Sequence, residues 1–344
     1  MAFEGSVRLA IDAMSGDHGP AISVPAALDA LGQHPELAVI LVGDQEILAQ
    51  ALQGASETLR ARIELHHAAE IVTMDESPTQ ALRGKRDSSM RVAINLVKSG
   101  AAAACVSAGN TGALMAIAHY VLKMLPGIDR PAICSAIPAF GGHTYMLDLG
   151  ANADCTAEHL VEFAVMGSAL VAALENNPAP KIGLLNIGEE EIKGNERVKQ
   201  AAQYLAQSGL NYQGYVEGHH ISAGTLDVIV TDGFAGNVAV KTIEGTAKFI
   251  GRMLREEFTH NALSRMEGLA ARPTLLRLQC RLDPQRYNGA SFLGLRGIVV
   301  KSHGGADRIG FATAIRAALM EVEQAVPERI SRVLSEAHVS GMET

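Results

Sequence analysis

The stretch ACVSAGNTGALMAIAHYVLKML (residues 104–125) indicates the fold class of the whole chain. It begins with four residues that suit a buried strand, passes through a glycine-bearing turn and continues as an apolar segment of helical length. The same order recurs along the chain, because short runs of Val, Ile and Leu alternate with longer amphipathic or apolar stretches. This alternation predicts an α/β fold, a three-layer α/β/α sandwich with a mostly parallel sheet and right-handed crossovers.

The alternation predicts nine strands and several helices. Strands are predicted at residues 7–11, 38–42, 104–107, 133–137, 145–149, 181–186, 213–217, 227–231 and 297–301. The clearest helices are predicted at residues 90–98, 110–125, 157–174, 196–206 and 306–322. His66 and His67 lie on a further predicted strand, and we interpret them as structural.

Composition and charge exclude several classes of protein. The chain has 344 residues, of which 29 are Lys or Arg and 37 are Asp or Glu, so its formal net charge is −8. With 48% apolar and 19% charged residues, it is too apolar for a disordered chain. The acidic balance disfavours a nucleic-acid partner, whose binding requires excess cations, and the absence of Trp disfavours a platform for stacking single-stranded bases.

Cysteine usage and hydropathy predict a cytoplasmic location. No apolar stretch approaches the roughly 20 residues of a membrane-spanning helix, and no signal-peptide pattern precedes the first strand. The four cysteines form no CxxC pair, so neither a zinc site nor a disulfide framework is indicated. They are Cys105, Cys134, Cys155 and Cys280.

One region breaks the alternation, because no strand is predicted there. Apolar residues recur at helical spacing from Ala247 to Phe258, and Pro273 interrupts a second apolar pattern. We predict a helical hairpin that projects from the sheet. The predicted division is an α/β catalytic unit at residues 1–245 and 283–344, with the hairpin inserted at residues 246–282.

Polar, glycine-bearing segments follow the predicted strands. Because the carboxyl ends of parallel strands lie at one edge of a sheet, we expect these segments to converge there. Glycine lets backbone N–H groups converge, and a following helix adds its positive end, so such segments can hold an anion. In the alternative interpretation, the glycines only make tight turns, and Asn110, Asn195 and Asn237 are helix N-caps. The segments are DAMSGDHGP (12–20), AGNTG (108–112), GANAD (150–154), IGEEEIKGN (187–195), GHH (218–220), DGFAGN (232–237) and SHGGAD (302–307).

The standard motifs of several enzyme classes are absent. There is no GxxxxGK[ST] motif of a P-loop NTPase, no GxGxxG motif after a strand and no GxSxG motif of a serine hydrolase. Two weaker candidates remain. The acidic run at residues 189–191 could bind a cation or be a solvated helix start, and Cys155 is a candidate nucleophile without an evident partner base.

Taken together, the segments resemble PlsX-type phosphate acyltransferases, which are bacterial enzymes of phospholipid synthesis. Ser15, the pair His219 and His220, and Gly305 depart from the family's usual residues. The resemblance runs in order from residue 7 to residue 317. It rests on DAMSGDHGP (12–20), DSSMRVA (87–93), SAGNTGALM (107–115), PGIDRPA (126–132), LDLGANADC (147–155), GLLNIGEEEIKGNE (183–196), TDGFAGNV (231–238), YNGA (287–290) and LGLRGIVVKSHG (293–304).

The resemblance implies transfer of a fatty acyl group from acyl carrier protein to inorganic phosphate, which gives acyl phosphate. It also implies a homodimer, a Rossmann-like fold related to isocitrate dehydrogenase and phosphotransacetylase, and a downstream glycerol-3-phosphate acyltransferase that uses the product. This chemistry suits the residues present, because phosphate can attack a thioester without a strong base and a thiolate leaves readily. We therefore expect no metal, no cofactor and no covalent enzyme intermediate.

Such an enzyme must place phosphate beside the thioester and stabilise the developing oxyanion. We expect Lys193 to supply the charge, because it lies in the longest polar segment. Aspartates such as Asp148 are expected to orient donors, since carboxylates beside phosphate would repel it. The predicted catalytic residues are Lys193, His18, Asn110 and Asn237. The residues predicted to bind phosphate or substrate are Asp12, Gly16, Asp17, Ser107, Gly109, Thr111, Gly112, Asn152, Asn195, Asp232, Gly233, Gly236, Lys301 and His303.

The predicted hairpin is basic within an acidic chain. Three interpretations are open, namely a dimer interface, a docking site for the acidic carrier protein, and a membrane contact through Leu263, Met266 and Leu269. The resemblance favours the dimer and a peripheral association with the inner face of the cell membrane. The hairpin holds Lys248, Arg252, Arg255, Arg265, Arg272, Arg277 and Arg281 against Glu256, Glu257 and Glu267, a local charge of 7 − 3 = +4.

Three other functions fit parts of the sequence. A short-chain phosphotransacylase that uses acyl-CoA would share the fold and the phosphate site. A decarboxylating dehydrogenase of the same broad fold would need a metal and NAD(P), for which the sequence has no fingerprint. A non-enzymatic scaffold would not need polar residues at so many strand ends.

Overall fold

The computed structural model describes residues 6–341, without the side chains of residues 279–282, 284 and 336–341. The ends of the predicted catalytic unit, and the side chains of Cys280 and Arg281, therefore lie outside the described residues. Among the described residues, the strands are β1 (Val7–Asp12), β2 (Leu37–Gly43), β3 (Ile63–His67), β4 (Ala104–Ser107), β5 (Ala132–Ala139), β6 (Gly142–Leu147), β7 (Ile182–Leu185), β8 (Tyr212–Val216), β9 (Val228–Val230), β10 (Ala290–Leu293) and β11 (Ile298–Lys301). The helices are α1 (Pro20–Gln33), α2 (Gln45–Ala51), α3 (Glu57–Arg60), α4 (Pro78–Gly84), α5 (Ser89–Lys98), α6 (Thr111–Leu122), α7 (Ala157–Leu174), α8 (Glu196–Gln207), α9 (Gly233–Thr259), α10 (Ala262–Leu282), α11 (Arg308–Glu323) and α12 (Val326–Gly341).

These strands form one sheet in the order β3-β2-β1-β4-β11-β10-β5-β6-β9-β7-β8. Neighbouring strands are parallel except in the pairs β11–β10, β10–β5 and β5–β6. The prediction of an α/β fold with a mostly parallel sheet is therefore confirmed. Strand β10 is missing from the predicted set, and it inserts between two strands that the sequence does identify.

The antiparallel pairs divide the sheet into strands that run in opposite directions. Strands β1, β4, β11 and β5 run one way, whereas β10, β6, β9, β7 and β8 run the other way. We call the edge at the carboxyl ends of β1, β4 and β11 the first edge, and the edge at the carboxyl ends of β6 to β9 the second edge. The expectation that all seven glycine-bearing segments share one edge is wrong, because three lie at the first edge and four at the second.

Helices cover both faces of the sheet, so the three-layer arrangement is confirmed. On the back face, α1 and α11 pack against one half through residues such as Phe311, and α7, α8 and α12 pack against the other through residues such as Phe163. On the front face, α5 and α6 pack through Met90 and Ile117, and α9 packs through Ile243. Helix α7 is long and apolar enough to cross a membrane, but 67% of it is buried within the chain, as expected for a core helix.

Helices α9 and α10 form the predicted hairpin. Helix α9 begins at Gly233, well before the predicted boundary at residue 246, so the segment at residues 233–237 is helical. Helix α10 continues through Pro273, which the sequence pattern had indicated as an interruption. Large apolar side chains are exposed along both helices, including Phe249, Met253, Leu263, Met266, Leu269 and Leu276.

Candidate active site

A row of three polar side chains crosses neighbouring strands at the first edge. Asp12 ends β1, Ser107 ends β4 and Lys301 ends β11, and the register aligns Asp12 with Ser107 and Ser107 with Lys301. Aligned residues point to the same face of a sheet. Ala10 and Cys105, two positions earlier, pack under α5 and α6, so this polar row lies on the front face. All three of its side chains are buried.

Ser107 connects the polar row to the turn that follows β4. Its hydroxyl donates to Oδ2 of Asp12 at 2.6 Å and accepts a hydrogen bond from the amide of Gly109 at 3.1 Å. The structure therefore brings together three residues that the sequence assigns to phosphate binding.

Lys301 supplies a buried cation to the row. It is only 8% exposed, and its ammonium donates to the carbonyl of Ala108 at 3.2 Å and to that of Ser302. Burial lowers the pKa of Lys301 to about 8, against the opposing effect of Asp12 and Asp17. A lysine with this pKa is still mostly protonated at pH 7 and can attract an anion from a site that holds little water.

The turns after β1 and β11 meet above the polar row. The amide of Asp17 donates to the carbonyl of Gly304 at 2.9 Å. Gly16 has a φ of +90°, and a Cβ at this position would lie 2.8 Å from the Cβ of Ala108, in the turn after β4, and 3.1 Å from the carbonyl oxygen of Gly304, so the close approach of these turns requires glycine. His18 and Asp17 are exposed beside them.

His303 lies on the turn after β11 as a neutral hydrogen-bond donor. Its Nδ1 accepts from the amide of Gly305 at 3.1 Å, which leaves Nε2 to carry the proton. Burial lowers the pKa of His303, and the positive charge of Lys241 lowers it further. The amide of His303 donates to Oδ1 of Asn288 at 2.9 Å. Asn288, absent from the predicted site, therefore positions this turn.

Asn110 caps helix α6 at the first edge, as the alternative interpretation proposed. Its Oδ1 accepts from the α6 backbone at 3.0 Å, and its Nδ2 donates to the carbonyls of Met74 and Glu76 at 2.8 and 3.0 Å. Because both ends of its amide are engaged, Asn110 holds neighbouring backbone in place. The first-turn amides of α6, at Thr111 and Gly112, have no partner within the helix and can donate to an anion.

At the second edge, the segment after β6 folds around its own carboxylate. Asp148 accepts hydrogen bonds from the amides of Gly150, Ala151 and Asn152 at 2.7 to 3.2 Å, and from the side chain of Asn152 at 3.0 Å. Burial raises the pKa of Asp148 above its ordinary value, and these hydrogen bonds offset only part of the rise. The amides that the sequence assigns to an anion cradle are thus occupied by Asp148.

Helix α9 starts against this segment. Asp232 is its N-cap, since Oδ1 accepts from the amide of Ala235 at 2.8 Å. The interpretation of Asn237 as an N-cap is therefore wrong, because Asn237 is the fifth residue of the helix. Gly236 is required by packing, since a Cβ there would lie 1.9 Å from the carbonyl oxygen of Asp148.

Lys193 lies on an exposed turn after β7, at the second edge. Its carbonyl accepts a hydrogen bond from Asn186 at 3.3 Å. Asn195 caps α8, as the alternative interpretation proposed, and Glu189 pairs with His220 at 3.4 Å. Because β7 runs against β11 and lies five strands away from it, the structure does not bring Lys193 together with the polar row.

One face of α9 connects the two edges. Asn237, Lys241, Glu244 and Lys248 follow at spacings of four, three and four residues, which places them on one side of a helix. The charges of Lys241, Glu244 and Lys248 all affect the pKa of His303. The charge of Lys241 also lowers the pKa of Lys301. This face therefore looks toward the first edge. Lys241 and Glu244 are absent from the predicted site, and Lys248 was predicted only as part of the basic hairpin, although their helical spacing after Asn237 is visible in the sequence.

A groove of about 1120 Å³ lies between α9 and α10. Asp307, which caps α11 directly after the turn that carries His303, lines it together with Lys248. The groove therefore opens beside the first edge. Its apolar lining is Ala247, Ile250, Leu254, Phe258, Leu269, Leu275 and Leu278.

Cys155 does not have the properties of a nucleophile. Its side chain is buried, and burial raises the pKa of its thiol to about 11. The reactive form of cysteine is the thiolate, which this environment disfavours.

Comparison with known proteins identifies relatives along nearly the whole chain. Residues 7–329 match the family model described as a fatty acid synthesis protein. The phosphate acyltransferase of Methylococcus capsulatus is 58% identical over 328 residues, which cover 95% of this chain and 97% of the relative. That of Alkalilimnicola ehrlichii is 59% identical over 329 residues, which cover 96% of both chains.

Solved structures share the fold at low sequence identity. A phosphotransacetylase from Streptococcus pyogenes has a TM-score of 0.63 at 18% identity and covers 92% of this chain and 94% of its own. A branched-chain phosphotransacylase from Enterococcus faecalis has a TM-score of 0.57 at 14% identity, with coverages of 92% and 99%. The predicted relation to the phosphotransacetylase fold is therefore confirmed. With the family match and the high identity to its relatives, the chain belongs to the PlsX family of phosphate acyltransferases and is an acyltransferase.

Proposed function

We propose that this enzyme transfers a fatty acyl group from acyl carrier protein to inorganic phosphate, and so forms acyl phosphate for phospholipid synthesis. The observation that carries the proposal is the polar row, in which the buried ammonium of Lys301 lies among glycine turns and beside the first turn of α6. Glycine-turn amides, a helix N-terminus and a lysine are groups that bind phosphate in proteins.

The reaction needs no nucleophile from the protein. An oxygen of phosphate forms a bond to the thioester carbonyl carbon, and the carbon–sulfur bond then breaks. The thiolate leaves with the electron pair, and the proton released by phosphate ends on the thiol. Lys301 and the amides of Thr111 and Gly112 hold the phosphate, and the neutral N–H of His303 is a donor for the oxyanion that develops on the carbonyl.

The groove between α9 and α10 is the proposed site for the acyl chain. Its wall is largely apolar and it begins beside the turn that carries His303, so a chain lying in it places its carbonyl near the phosphate. Lys248 lines the groove and, like Lys241, acts electrostatically on His303, so positive charge lies where the groove meets the turn that carries His303.

Acyl carrier protein is the proposed donor because the hairpin carries a local charge of +4, which suits an acidic protein partner. The alternative is a short-chain phosphotransacylase that uses acyl-CoA, because the structural neighbours include a phosphotransacetylase and a branched-chain phosphotransacylase. Both donors are incubated with the protein, with and without phosphate, and the products are read by mass spectrometry. Acyl phosphate formed from the carrier-protein donor alone supports the proposal. Acyl phosphate formed only from acyl-CoA rejects it in favour of the alternative.

We also propose a homodimer that associates with the inner face of the cytoplasmic membrane and supplies a glycerol-3-phosphate acyltransferase. Exposed Leu263, Met266 and Leu269 on α10, each at least 65% exposed, are suited to a membrane surface or to a second copy of the hairpin. Flotation with anionic liposomes should carry the parent protein upward and leave Leu263→Glu behind. Equal flotation of the two proteins removes the membrane contact, and light scattering at the same concentrations reports the dimer separately.

A further inference from the structure

Two buried polar atoms without a hydrogen-bond partner, Oδ1 of Asp12 and Oγ of Ser15, lie at the first edge. Among the described residues, the buried side-chain atoms that lack a partner are Oδ1 of Asp12, Oγ of Ser15, Oγ of Ser89 and Nη1 of Arg91. Ser15 lies against Gly109, since a Cβ on that glycine would be 3.0 Å from Oγ of Ser15.

The hydrogen bonds around Asp12 determine the hydrogen-bonding role of its second carboxylate oxygen, Oδ1. Ser107 donates to Oδ2 of Asp12, and the amide of Gly109 donates to Ser107, so the hydroxyl proton of Ser107 points at the carboxylate. Oδ1 is then an acceptor only, fully buried and unpaired. A buried carboxylate oxygen without a donor is costly, and this cost is removed when a donor arrives.

Lys301 provides the complementary group in the same row. An ammonium has three protons, and that of Lys301 donates to two carbonyl oxygens, so one proton remains for a ligand. The row thus offers a donor and an unpaired acceptor to one small ligand.

We propose that Oδ1 of Asp12 accepts the hydrogen bond of the P–OH group of monohydrogen phosphate, while Lys301 donates to an unprotonated oxygen, so that Asp12 selects phosphate over sulfate. The inference rests on the proposed function, because it names the form of phosphate that the site takes. Sulfate has the same shape and charge as monohydrogen phosphate but carries no proton at neutral pH. Its oxygens would face the carboxylate of Asp12 as a second set of acceptors.

This assignment also accounts for the two carboxylates at an anion site. Asp12 and Asp17 both act electrostatically on Lys301, and each would repel a dianion that offered only acceptors. A P–OH group converts the contact with Asp12 from repulsive to attractive. Asp17 is exposed, so water screens its charge.

Isothermal titration of the intact protein with inorganic phosphate and with sulfate, without any acyl donor, tests the proposal. The parent should bind phosphate at least ~100-fold more tightly than sulfate, as expected of a site that hydrogen-bonds a hydroxyl. Since Ser107 donates to Oδ2, Asp12→Asn keeps its carbonyl there and presents an NH₂ group at the position of Oδ1. It should lose at least about tenfold in phosphate affinity and bind sulfate as well as the parent or better.

Asp17→Asn is the matched control, because it removes a neighbouring charge and leaves the acceptor intact. It should tighten the binding of both anions only slightly and by the same factor, because water screens the charge of Asp17. The proposal is overturned if the parent binds the two anions equally, or if Asp12→Asn tightens both as the control does. Should Asp12→Asn fail to fold by circular dichroism, the ratio measured for the parent decides. If the protein prefers phosphate to sulfate but forms no acyl phosphate, the proposed function is rejected and this inference stands. If it forms acyl phosphate but binds the two anions equally, this inference is rejected and the proposed function stands.

Discussion

Lys301 should give the enzyme an alkaline limit near pH 8. Its pKa is lowered from 10.5 to about 8 by burial, and only the protonated form attracts phosphate. At this pKa, about 90% of the lysine is charged at pH 7 and about 10% at pH 9. The value of kcat/KM for phosphate should therefore fall roughly tenfold between these two pH values. A lysine with an ordinary pKa would remain almost fully charged over the same range.

The neighbouring charge of Lys241 provides the control for this pH limit. Since its positive charge lowers the pKa of Lys301, the variant Lys241→Gln should move the alkaline limit to higher pH. Lys301→Met should lower kcat/KM for phosphate strongly at pH 7, and its residual activity should lack the limit near pH 8. The assay is the initial rate of acyl phosphate formation at varied phosphate and pH. The reasoning is refuted if Lys301→Met keeps the alkaline limit near pH 8. It is also refuted if Lys241→Gln binds phosphate with the affinity of the parent but shows no shift of the alkaline limit.

Three further predictions concern the second edge and the core. Because Lys193 lies on an exposed turn away from the polar row, Lys193→Ala should leave turnover and melting temperature nearly unchanged, and a strong loss of turnover would show that Lys193 belongs to the mechanism. Gly236→Ala should cost roughly 1–3 kcal/mol because its Cβ meets the carbonyl of Asp148, whereas Gly245→Ala, with open space around it, should be neutral or stabilising in urea unfolding. Burial raises the pKa of Glu321 from 4.5 to about 7, so the stability that its protonated form contributes is present below pH 4.5 and is lost as the pH rises to 7. Glu321→Gln should therefore be more stable than the parent at pH 8 by up to roughly 3 kcal/mol and similar at pH 4, and equal melting curves at pH 8 would contradict this.

The alternation of strands and helices could be predicted because hydrophobic periodicity is a local property of the sequence. Strand direction is not local, and this is where the expectation of a single edge failed. The chain between β5 and β6 is only Phe140–Gly141, too short for the crossover that two parallel strands need, and Gly141 has a φ of +81°. The short spacing between the predicted strands at 133–137 and 145–149 was therefore a sign of a hairpin. Strand β10 has four residues and reverses direction again without any sequence signal of its own.

The candidate site was predictable to the extent that polar residues sit at strand ends. Asp12, Ser107 and Lys301 all end strands of the first edge, and each begins or directly precedes one of the polar segments identified in the sequence. The sequence does not show which polar groups are already satisfied by the chain. In the sequence, Asn110 and Asn195 resemble free hydrogen-bond donors, whereas in the structure they cap helices. The glycine-rich segment after β6 likewise resembles an anion site, but its amides bind the carboxylate of Asp148.

Helix α9 explains how two groups of segments at opposite edges can serve one reaction. Its first turn is held at the second edge by the close contact between Gly236 and Asp148, and two turns later its polar face acts on His303 and Lys301. Beyond that point, the same helix forms one wall of the apolar groove. A single rigid element thus fixes the position of the groove relative to the polar row. Gly233 and Gly236 resemble helix breakers in the sequence, but their lack of a side chain allows α9 to start against the segment after β6. The distance between the acyl chain and the phosphate therefore depends on packing at the second edge.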